Sequence, residues 1–360
     1  MDVEHKLALI ESVGEEIITR DELRNLLDTK LHPVAYDGFE PSGLAHLPFG
    51  VFRPLLIRDL QRAGIHFKLL IADWHGWINN KMGGDLAAIR RVGEYFIEVW
   101  RAAGVKDVEM VWTSDVVTDR DYWKKVVLIA KHTTVNRANR MLTIMGRQQG
   151  EMQEIAQYFY PMMQTADIFA LEADICQLGI DQRRANMLAR EVGPKLGWGK
   201  PVVVSHHMLM GLEGVKTPDG FEENKTLDTE ITSKMSKSKP TSAIFVHDSR
   251  EHIGKKLQAA YCPAKVSENN PVLEYVRHLI FRAHDELIID RPQKFGGPVS
   301  FSSYRDLESA YVKGGIHPAD LKAAVADALD EIIAPVREHF EKNAKARELY
   351  EFVKKQQVTR

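Results

Sequence analysis

Two lysines separated by two residues mark the segment 234–238, which reads KMSKS. Lysine carries a compact positive charge on a flexible stem and binds phosphate as a point charge. The pair can place two ammonium groups on one polyphosphate, although most short lysine runs are solvated surface. Residues 217–230 before it are polar and contain glycine, proline and asparagine. This composition predicts a mobile loop over residues 217–240 that carries a candidate triphosphate clamp.

A second candidate site lies in the sequence YPMMQTAD, residues 160–167. Tyr160, Gln164 and Asp167 are spaced i, i+4 and i+7, so a helix would present a phenol, an amide and a carboxylate on one face. In an apolar helix such groups are more often hydrogen-bonded to neighbours in the core. The alternative is a pocket that selects a small polar ligand with convergent polar groups on an apolar wall. The spacing alone leaves both interpretations open.

Alternating strand and helix patterns predict the elements that position these residues. Apolar, strand-like runs occupy residues 34–38, 67–73 and 108–112, and helical periodicity fills residues 49–64 and 85–103 between them. This succession is the βαβ pattern of a doubly wound parallel sheet in an α/β protein. Ligands of such sheets sit at the carboxyl ends of the strands.

The carboxyl ends of the first two predicted strands carry Tyr36 and Asp73, and a turn with glycine and proline follows at residues 39–43. The other predicted elements are helices over 4–13, 19–27, 119–149 (one or two), 153–171, 182–190, 249–261, 270–283, 304–312 and 319–340, and strands over 201–205 and 243–246. The composition becomes helical near residue 249. We therefore predict two domains, 1–248 and an α-rich domain over 249–360.

The composition is that of an ordinary globular protein. The chain has 360 residues, 44% of them hydrophobic and 27% charged, and a formal net charge of −2. This length accommodates about two domains. The small net charge argues against a uniformly basic coat for nucleic acid but leaves a local basic face open. The two cysteines form no CxxC pair, so neither a disulfide framework nor a structural zinc site is expected.

The N-terminal residues are acidic and amphipathic, unlike a signal sequence with a charged and then an apolar part. No apolar run approaches the roughly 20 residues that a membrane-spanning helix needs. We therefore expect a cytoplasmic protein that does not bind membranes.

The KMSKS segment resembles the signature loop of class I aminoacyl-tRNA synthetases. YPMMQTAD, with GIDQRR at residues 179–184 and YDGFEPSG at residues 36–43, is similar to motifs of the tyrosyl-tRNA synthetases of archaeal and eukaryotic type. The match runs over most of the chain, with the motifs in the family's order. It implies a Rossmann-type nucleotide-binding catalytic domain with a helical insertion at 119–149, followed by an α-helical anticodon-binding domain.

The resemblance also implies an activity and its partners. A member of this family is a tyrosine–tRNA ligase, which activates L-tyrosine with ATP to tyrosyl-adenylate and transfers it to the 3′ end of tRNA(Tyr). The implied partners are L-tyrosine, ATP with Mg²⁺, tRNA(Tyr) and a second copy of the chain. The insertion at 119–149 would form the dimer interface. We assign no metal-ligating residues.

The amino-acid pocket implied by the family consists of Tyr36, Ala72, His75, Tyr160, Gln164, Asp167 and Gln182. Tyr36 and Asp167 would hold the substrate's phenol hydroxyl, and Tyr160, Gln164 and Gln182 would bind its α-amino group. A site that hydrogen-bonds a hydroxyl rejects the analogue without it by about 10⁴–10⁵. No editing domain is therefore needed.

The implied nucleotide site consists of Gly38, Glu40, Gly43, His46, Gly50, Lys234, Met235, Ser236, Lys237 and Ser238. His46, Lys234 and Lys237 would be catalytic. The tetrapeptide HLPF that begins at His46 departs from the family's HIGH-like pattern, because Pro48 replaces glycine and Phe49 replaces the second histidine. We expect either compensation by Gly50 and the helix N-terminus or weakened adenylation.

Residues implied to bind tRNA fall into two groups. Arg137, Arg140, Arg183 and Arg184 would bind the acceptor stem, and Phe295, His317 and Asp320 would read the anticodon. A basic run from Lys124 to Arg147 supplies the clustered charge that nucleic acid requires. Each basic helix could equally be a solvated face.

Two alternatives compete with the ligase. One is a tryptophan-specific relative with the same fold, although an indole offers only one donor to Tyr36 and Asp167. The other is a paralogue that binds tRNA or tyrosine but has impaired adenylation, which only the altered HLPF segment supports.

Overall fold

A sheet of six strands forms the centre of the structure. The computed structural model describes residues 1–146, 154–220 and 224–356. The strands are β1 (Glu16–Ile18), β2 (Val34–Phe39), β3 (His66–Ile71), β4 (Val108–Trp112), β5 (Ile175–Cys176) and β6 (Val202–Ser205). Their order is β1-β6-β5-β2-β3-β4, with β1 antiparallel to β6 and the other neighbours parallel.

The strand order reverses beside β2. The chain passes from β2 to β3 and β4 on one side, and then crosses to β5 and β6 on the other. In doubly wound sheets, ligands bind at such a reversal, outside the carboxyl ends of the strands. The predicted α/β class with a Rossmann-type sheet is confirmed.

Helices pack around this sheet and make up much of the rest of the described chain. They are α1 (Val3–Val13), α2 (Arg20–Thr29), α3 (Arg53–Arg62), α4 (Asp73–Ile78), α5 (Leu86–Ala102), α6 (Thr113–Val116), α7 (Arg120–Lys131), α8 (Val135–Met141), α9 (Phe159–Ala170), α10 (Arg183–Leu196), α11 (Lys225–Ser233), α12 (Arg250–Ala259), α13 (Pro271–Tyr275), α14 (Phe281–Ala283), α15 (Tyr304–Val312), α16 (Pro318–Lys342) and α17 (Ala344–Lys354). A hairpin of β7 (Leu287–Ile289) and β8 (Val299–Phe301) lies among the later helices. A π turn at Pro48–Phe52 precedes α3.

The sheet is buried on both faces. Along β3, Phe67 and Leu69 belong to the main hydrophobic core, whereas Leu70 points to a smaller core that contains Ile168 of α9. Successive residues of a strand face opposite sides, so a continuous apolar run is what a strand covered on both faces requires. The predicted strand over 67–73 is therefore confirmed as β3, but it ends at Ile71, and Asp73 begins α4 instead of ending the strand.

The main core continues across residue 248. Leu56 of α3, Leu273 of α13 and Leu329 of α16 belong to one contiguous cluster of buried side chains. Arg282 also donates to Asp59 Oδ2 at 2.8 Å. The predicted boundary between 248 and 249 stays a prediction, but the α-rich part packs directly against the first part of the chain.

The strands β1, β5, β7 and β8 and the helices α4, α6 and α17 were not predicted, and two predicted segments around residue 234 have a different structure. The predicted strand over 243–246 is instead an irregular segment in which Phe245 makes an isolated antiparallel bridge to His46. The predicted loop over 217–240 contains helix α11, whose N-terminus is capped by Asn224, and Ile231 on this helix is buried. Polar composition concealed the helix because only one short face of it is apolar. Residues 221–223 of this loop lie outside the described residues, and its mobility stays a prediction.

The predicted insertion at 119–149 contains α7, α8 and a 3₁₀ turn at Leu142–Met145. Its last part, residues 147–149, lies outside the described residues. Within the described ranges, no helix combines the length and the hydropathy that crossing a membrane requires.

A test of this packing uses two glycines inside helices. A Cβ atom at Gly193 in α10 would lie 2.2 Å from the backbone oxygen of Gly199, so the Gly193→Ala variant should be destabilised by about 1–3 kcal/mol through overpacking. At Gly254 in α12, a Cβ would meet only the mobile end of Arg250. The Gly254→Ala variant should therefore be neutral or stabilised by up to about 1 kcal/mol. Urea unfolding followed by circular dichroism measures both, and equal shifts of the midpoints would contradict this packing.

Candidate active site

A cavity of ≈ 480 Å³ opens at the carboxyl end of β2, where the strand order reverses. Its lining includes every residue predicted for the amino-acid pocket, namely Tyr36, Ala72, His75, Tyr160, Gln164, Asp167 and Gln182. It also includes most of the predicted nucleotide site, namely Gly38, Glu40, His46, Lys234, Met235, Ser236, Lys237 and Ser238. The two sets of residues therefore share one cavity, whose size is typical of small-ligand sites.

The Asp167 carboxylate of α9 accepts a hydrogen bond through Oδ1, whereas its Oδ2 makes none within the described ranges. The Tyr122 hydroxyl on α7 donates to Asp167 Oδ1 at 2.8 Å, and His75 Nε2 on α4 lies 3.2 Å from Asp167 Oδ2. The Tyr36 hydroxyl is buried and has no hydrogen-bond partner within the described ranges. Burial, and then the neighbouring Cys176 and Asp167 groups, raise the pKa of Tyr36, so its hydroxyl stays protonated. A phenol hydroxyl placed here would meet a fixed carboxylate acceptor and a neutral hydroxyl.

A chain of amides crosses the same cavity. Gln164 Nε2 donates to Gln182 Oε1 at 2.9 Å, and Gln182 Nε2 donates to the backbone oxygen of Ile144 at 3.2 Å. These bonds aim the amide groups, and they leave Gln164 Oε1 without a hydrogen-bond partner among the described residues. Burial, and then the charge of Glu40, raise the pKa of the Tyr160 hydroxyl. The oxygens of the Tyr160 hydroxyl and the Gln164 amide are well suited to accept hydrogen bonds from an ammonium group.

A buried ion pair fixes the carboxyl end of β2. Arg53 Nη2 lies 2.9 Å from Asp37 Oδ2, and the two side chains are 1% and 4% exposed. The same guanidinium donates to the Gln177 backbone oxygen at 3.2 Å and contacts His206 Nδ1 at 3.2 Å. Burial raises the pKa of Asp37 to about 6, against the opposing effect of the Arg53 charge. One guanidinium thus joins β2, α3 and the segments that follow β5 and β6.

The first lysine of the KMSKS segment is paired with a carboxylate. Lys234 Nζ donates to Asp181 Oδ2 at 2.6 Å. The Lys234 backbone makes an antiparallel bridge to Met210, and the Met235 amide donates to the Leu209 oxygen at 2.7 Å. The segment therefore begins at a fixed point of the backbone.

The second lysine lies over aromatic rings. Lys237 Nζ is 4.6 Å from the centre of the Phe96 ring, 5.9 Å from that of Phe49 and 3.4 Å from Ser42 Oγ. Burial, and then the charge of Lys81, lower the pKa of Lys237 to about 7. At neutral pH its amine is therefore close to half protonated, and a bound anion would favour the charged form.

His46 lines the cavity, and its Nδ1 is shielded from solvent. Burial, and then the charge of Lys237, lower the pKa of His46 well below its usual value, so the ring is neutral at pH 7. Its backbone pairs with Phe245. Gly50, by contrast, is packed away from the cavity, since a Cβ there would lie 2.4 Å from Val246 Cγ1.

Phe49, at the position of the family's second histidine, also points away from the cavity. Its ring packs against Phe96 and Trp100 with centroid distances of 4.1 and 5.3 Å, and Trp100 Nε1 donates to the Phe49 oxygen at 3.1 Å. Pro48 begins the π turn. Gly43, like Gly50, is absent from the lining of the cavity. In the HLPF segment, only His46 therefore lines the cavity. Gly50 does not line it, so the geometry does not support the expected compensation by Gly50.

Most of the arginines predicted to bind the acceptor stem are paired with groups of the chain itself. Arg137 Nη2 donates to Glu191 Oε1 at 2.8 Å, and Arg183 Nε donates to Glu16 Oε1 at 2.9 Å. Arg184 donates to Thr143 Oγ1 at 3.0 Å and to the backbone oxygen of Arg140.

The Arg140 side chain lies at an exposed position, and Arg147, the end of the predicted basic run, lies outside the described residues. The predicted anticodon residues are separate from the cavity. The Phe295 side chain is 61% exposed, and His317 caps α16 by accepting from the Ala319 amide at 3.2 Å. Asp320 lies in the first turn of that helix.

The polar residues of the cavity region that were missed from the sequence include Asp181, Lys81 and Tyr122. Asp181 lies in the GIDQRR motif, so the motif itself was a signal. Lys81 lines the cavity and lies 3.6 Å from Glu40 Oε2. Tyr122 had no signal, because its contact with Asp167 depends on the packing of α7 against α9.

The arrangement is suited to binding a phenolic amino acid beside a polyphosphate. One part of the cavity offers a carboxylate and neutral hydroxyl and amide groups, and the other offers lysines. No covalent nucleophile is required for joining a carboxylate to a phosphate, since positioning and charge stabilisation suffice.

Comparisons with known proteins agree with this geometry. The family model described as tRNA synthetases class I (W and Y) matches residues 29–334. A protein named tyrosine–tRNA ligase 1, cytoplasmic, from Arabidopsis thaliana is 43% identical over 364 residues, which cover 100% of this chain and 90% of the plant protein.

Two solved structures are also similar. Tyrosyl-tRNA synthetase from Pyrococcus horikoshii, in complex with L-tyrosine, is 40% identical with a TM-score of 0.89, and the match covers 98% of this chain and 100% of that one. Tyrosyl-tRNA synthetase from Leishmania major, in complex with tyrosinol, is 39% identical with a TM-score of 0.88. The match with the Leishmania structure covers 98% of this chain and 52% of the Leishmania chain.

The matched family model, the identity over the whole chain and the shared fold establish its relationship. The chain belongs to the class I tRNA synthetases of the tryptophan and tyrosine group, and within it to the tyrosyl-tRNA synthetases of archaeal and eukaryotic type.

Proposed function

We propose that this protein is a tyrosine–tRNA ligase of the cytoplasm that uses the cavity at the end of β2 for both amino-acid activation and transfer. The observation that carries the proposal is the placement of the Tyr36 hydroxyl and the Asp167 carboxylate in one cavity with the KMSKS lysines. A cytoplasmic location agrees with the name of the Arabidopsis relative.

L-tyrosine would enter with its ring toward Asp167. The substrate hydroxyl donates to Asp167, whose other hydrogen bond comes from Tyr122, and it accepts from the Tyr36 hydroxyl. The α-ammonium group is then placed near Tyr160, Gln164 and Gln182. Phenylalanine would leave Asp167 and Tyr36 partly unsatisfied in a buried site, which costs the desolvation of those groups.

ATP would bind toward the lysines, with Mg²⁺ carried on the nucleotide as part of the substrate. The tyrosine carboxylate attacks the α-phosphorus in line, a P–O bond forms to the amino acid, and the bond to the departing pyrophosphate breaks. A hydroxyl of the terminal ribose of tRNA then attacks the adenylate carbonyl, and AMP leaves. The chain contributes position and charge rather than a covalent intermediate.

The basic groups have distinct roles in the first step. Lys234 exchanges its partner Asp181 for the triphosphate. Lys237 leaves an apolar, aromatic surrounding in which its ammonium form is disfavoured, and it gains an anionic partner. His46, which is neutral because it is buried, contributes a hydrogen bond rather than a charge. Both lysines stabilise the charge that develops on pyrophosphate.

For tRNA, exposed groups outside the cavity support binding. Phe295 is 61% exposed, as stacking on an unpaired base requires, and Asp320 can accept from a guanine edge. His317 holds the helix N-terminus that presents Asp320. Because Arg137 and Arg183 are paired with glutamates, phosphate binding by them would require exchange of those partners.

Exposed apolar side chains within the insertion at 119–149 and just after it support a homodimer whose interface is formed by this segment. Exposed fractions there are 55% for Val127, 72% for Val135 and 81% for Ile155, and Tyr158 and Phe159 next to Ile155 are also exposed. Neighbouring exposed apolar side chains of this kind are typical of protein interfaces.

Amino-acid-dependent exchange of pyrophosphate into ATP tests the function. We expect exchange with tyrosine and little with tryptophan or phenylalanine, because only tyrosine supplies a hydroxyl to Asp167. Exchange with tryptophan alone would favour the tryptophan-specific alternative. Binding of tyrosine without exchange would favour a paralogue with impaired adenylation, in keeping with Phe49 and Pro48 in the HLPF segment.

The preference for tyrosine over phenylalanine should depend on Asp167 and on the hydrogen bond that Tyr122 donates to it. Loss of a hydrogen bond to a charged group costs about 1.5–3 kcal/mol, so Asp167→Ala should lower the ratio of kcat/KM values by roughly 10–100-fold. Tyr122→Phe removes a neighbouring hydrogen bond and should lower the ratio by less. Tyr304→Phe is a matched control, since its hydroxyl donates to Glu308 Oε1 at 3.0 Å outside the cavity. Unchanged selectivity in Asp167→Ala would refute the assignment.

Lys237 should couple ATP binding to proton uptake. Its pKa of about 7 in the free protein means that the amine is mostly neutral at pH 8 and mostly charged at pH 6. A triphosphate favours the ammonium form, so ATP binding should take up close to one proton at pH 8 and much less at pH 6. Calorimetry in two buffers of different ionisation enthalpy measures this uptake.

The Lys237→Met variant should lose this uptake and slow adenylation by roughly 10–100-fold, the effect of about 1.5–3 kcal/mol. Its affinity for tyrosine should remain nearly unchanged. The Lys225→Met variant removes an exposed lysine from the start of α11 and serves as the control. Equal loss of tyrosine affinity and adenylation in Lys237→Met would contradict a role at the phosphates.

A further inference from the structure

Three carboxylates surround the His207 side chain at the base of the KMSKS segment. Glu15 Oε2 lies 2.9 Å and Glu230 Oε1 3.4 Å from His207 Nδ1. Glu274 Oε1 lies 3.1 Å from Nε2, on the other side of the ring. The four residues come from the segment before β1, the segment after β6, α11 and α13. None of them lines the active-site cavity.

The cluster carries more negative charge than its own cation balances. The single imidazole of His207 faces Glu15 through Nδ1 and Glu274 through Nε2, so one ring at most offsets three carboxylates. The other basic groups nearby are Arg277, whose charge acts on Glu15, and His278, whose ring stacks on His207 with a centroid distance of 4.7 Å. A second positive charge would therefore be stabilised here.

One buried oxygen of the cluster lacks a good partner. Glu230 Oε1 is shielded from solvent and makes no well-aligned hydrogen bond to any residue in the described ranges, although it faces His207 Nδ1 at 3.4 Å. Buried carboxylate oxygens without a partner are costly. A cation between Glu15, His207 and Glu230 would satisfy this oxygen.

The donor atoms have the spacing that a metal ion requires. One atom each from Glu15, His207 and Glu230 lie within 4.8 Å of one another. Two ligands bound about 2.1 Å from a tetrahedral zinc ion lie about 3.4 Å apart. The distances of 2.9 and 3.4 Å from Nδ1 are close to that value, and the half-exposed Glu15 can adjust by rotation of its side chain.

Glu274 completes the arrangement from the other side of the ring. Zinc-bound histidines commonly donate their second N–H to a carboxylate, which fixes the ring and the free nitrogen. Glu274 lies next to Nε2 and is itself held by the Met210 amide, which donates to Glu274 Oε1 at 2.6 Å. A metal ion at Nδ1 would displace to solvent the proton that Nδ1 shares with Glu15, while the Nε2 proton stays beside Glu274.

We propose that Glu15, His207 and Glu230 form a binding site for a divalent transition-metal ion of the zinc type, with Glu274 orienting the histidine. Carboxylate and imidazole ligands together suit zinc, whereas magnesium prefers oxygen ligands in an octahedral arrangement. The site is independent of the magnesium that ATP carries and goes beyond the proposed ligase function.

Occupation of the site would restrain the KMSKS segment. Glu230 belongs to α11, which ends at Ser233, directly before Lys234. The other two ligands lie on the segments before β1 and after β6, so the ion would join α11 to the edge of the sheet. Lys234 and Lys237 would then follow a helix that is held more firmly in place.

Calorimetric titration of the metal-free full chain with zinc chloride tests the site. We expect one zinc ion per chain, at least tenfold weaker binding in Glu15→Gln and in Glu230→Gln, and a roughly 10–100-fold weaker affinity in Glu274→Gln. Glu11→Gln, which removes a glutamate paired with Arg20 outside the cluster, should bind zinc like the unaltered protein. Hydrogen exchange should slow in α11 when zinc is added, and magnesium chloride should have no such effect.

Glu15 is half-exposed, so its substitution tests the site without disturbing the core. Absence of stoichiometric zinc binding would overturn the proposal. So would unchanged affinity in both Glu15→Gln and Glu230→Gln, which would place bound zinc elsewhere. Magnesium binding as tight as that of zinc would overturn the assignment to a transition metal. None of these outcomes depends on ligase activity, so failure here leaves the proposed function untouched.

Discussion

The buried ion pair of Asp37 and Arg53 holds together the elements whose ends form the cavity. Arg53 reaches the carboxylate of β2 and the backbone after β5, and it contacts His206 after β6. A charge buried this deeply is strongly destabilising if its partner is removed, by about 3–5 kcal/mol. The pair therefore adds little net stability compared with an apolar core, but it specifies one arrangement of the strand ends. Tyr36, which precedes Asp37 on β2, is positioned by this arrangement.

Several polar groups of the cavity are already paired with groups of the chain, whereas the Tyr36 hydroxyl and Gln164 Oε1 have no hydrogen-bond partner within the described ranges. Asp167 accepts from Tyr122, Lys234 is paired with Asp181, and Lys237 lies over Phe96. At a group that is already paired, a substrate must replace the partner that the chain supplies. The lost interaction subtracts from the gross binding energy. Such competition favours ligands that satisfy the groups better than the chain does. A triphosphate meets this condition at the lysines, whereas a phenol would pair with Asp167 Oδ2 and the Tyr36 hydroxyl, which lack hydrogen-bond partners among the described residues.

Patterns along the sequence predicted those parts that local chemistry determines. Continuous apolar runs predicted β3 and β4, and the spacing of Tyr160, Gln164 and Asp167 predicted one polar face of α9. The spacing could not decide between a core network and a pocket, and the resemblance to a family supplied that decision. The structure brings these residues into one cavity, while their individual roles in catalysis stay predictions.

What the sequence did not predict depends on contacts between distant segments. Tyr122 acts through the packing of α7 on α9, and the short strands β1 and β5 exist only because β6 and β2 lie beside them. The direction of Phe49 followed from the aromatic cluster around Trp100, which no local pattern encodes. Helix α11 was hidden by its polar composition, although its N-cap at Asn224 was a readable signal.

The KMSKS segment lies between two backbone bridges to the rest of the protein, and Ser242 between them accepts from the Leu212 amide at 3.0 Å. Lys234 pairs with Met210 at its start, and Phe245 pairs with His46 beyond its end. The intervening residues form an arc with both ends anchored, and the second anchor is itself a residue of the reaction site. The reach of Lys237 is consequently set by the contour length between the anchors. Insertions or deletions in this surface stretch would alter catalytic geometry, and we expect its length to be constrained more tightly than its composition.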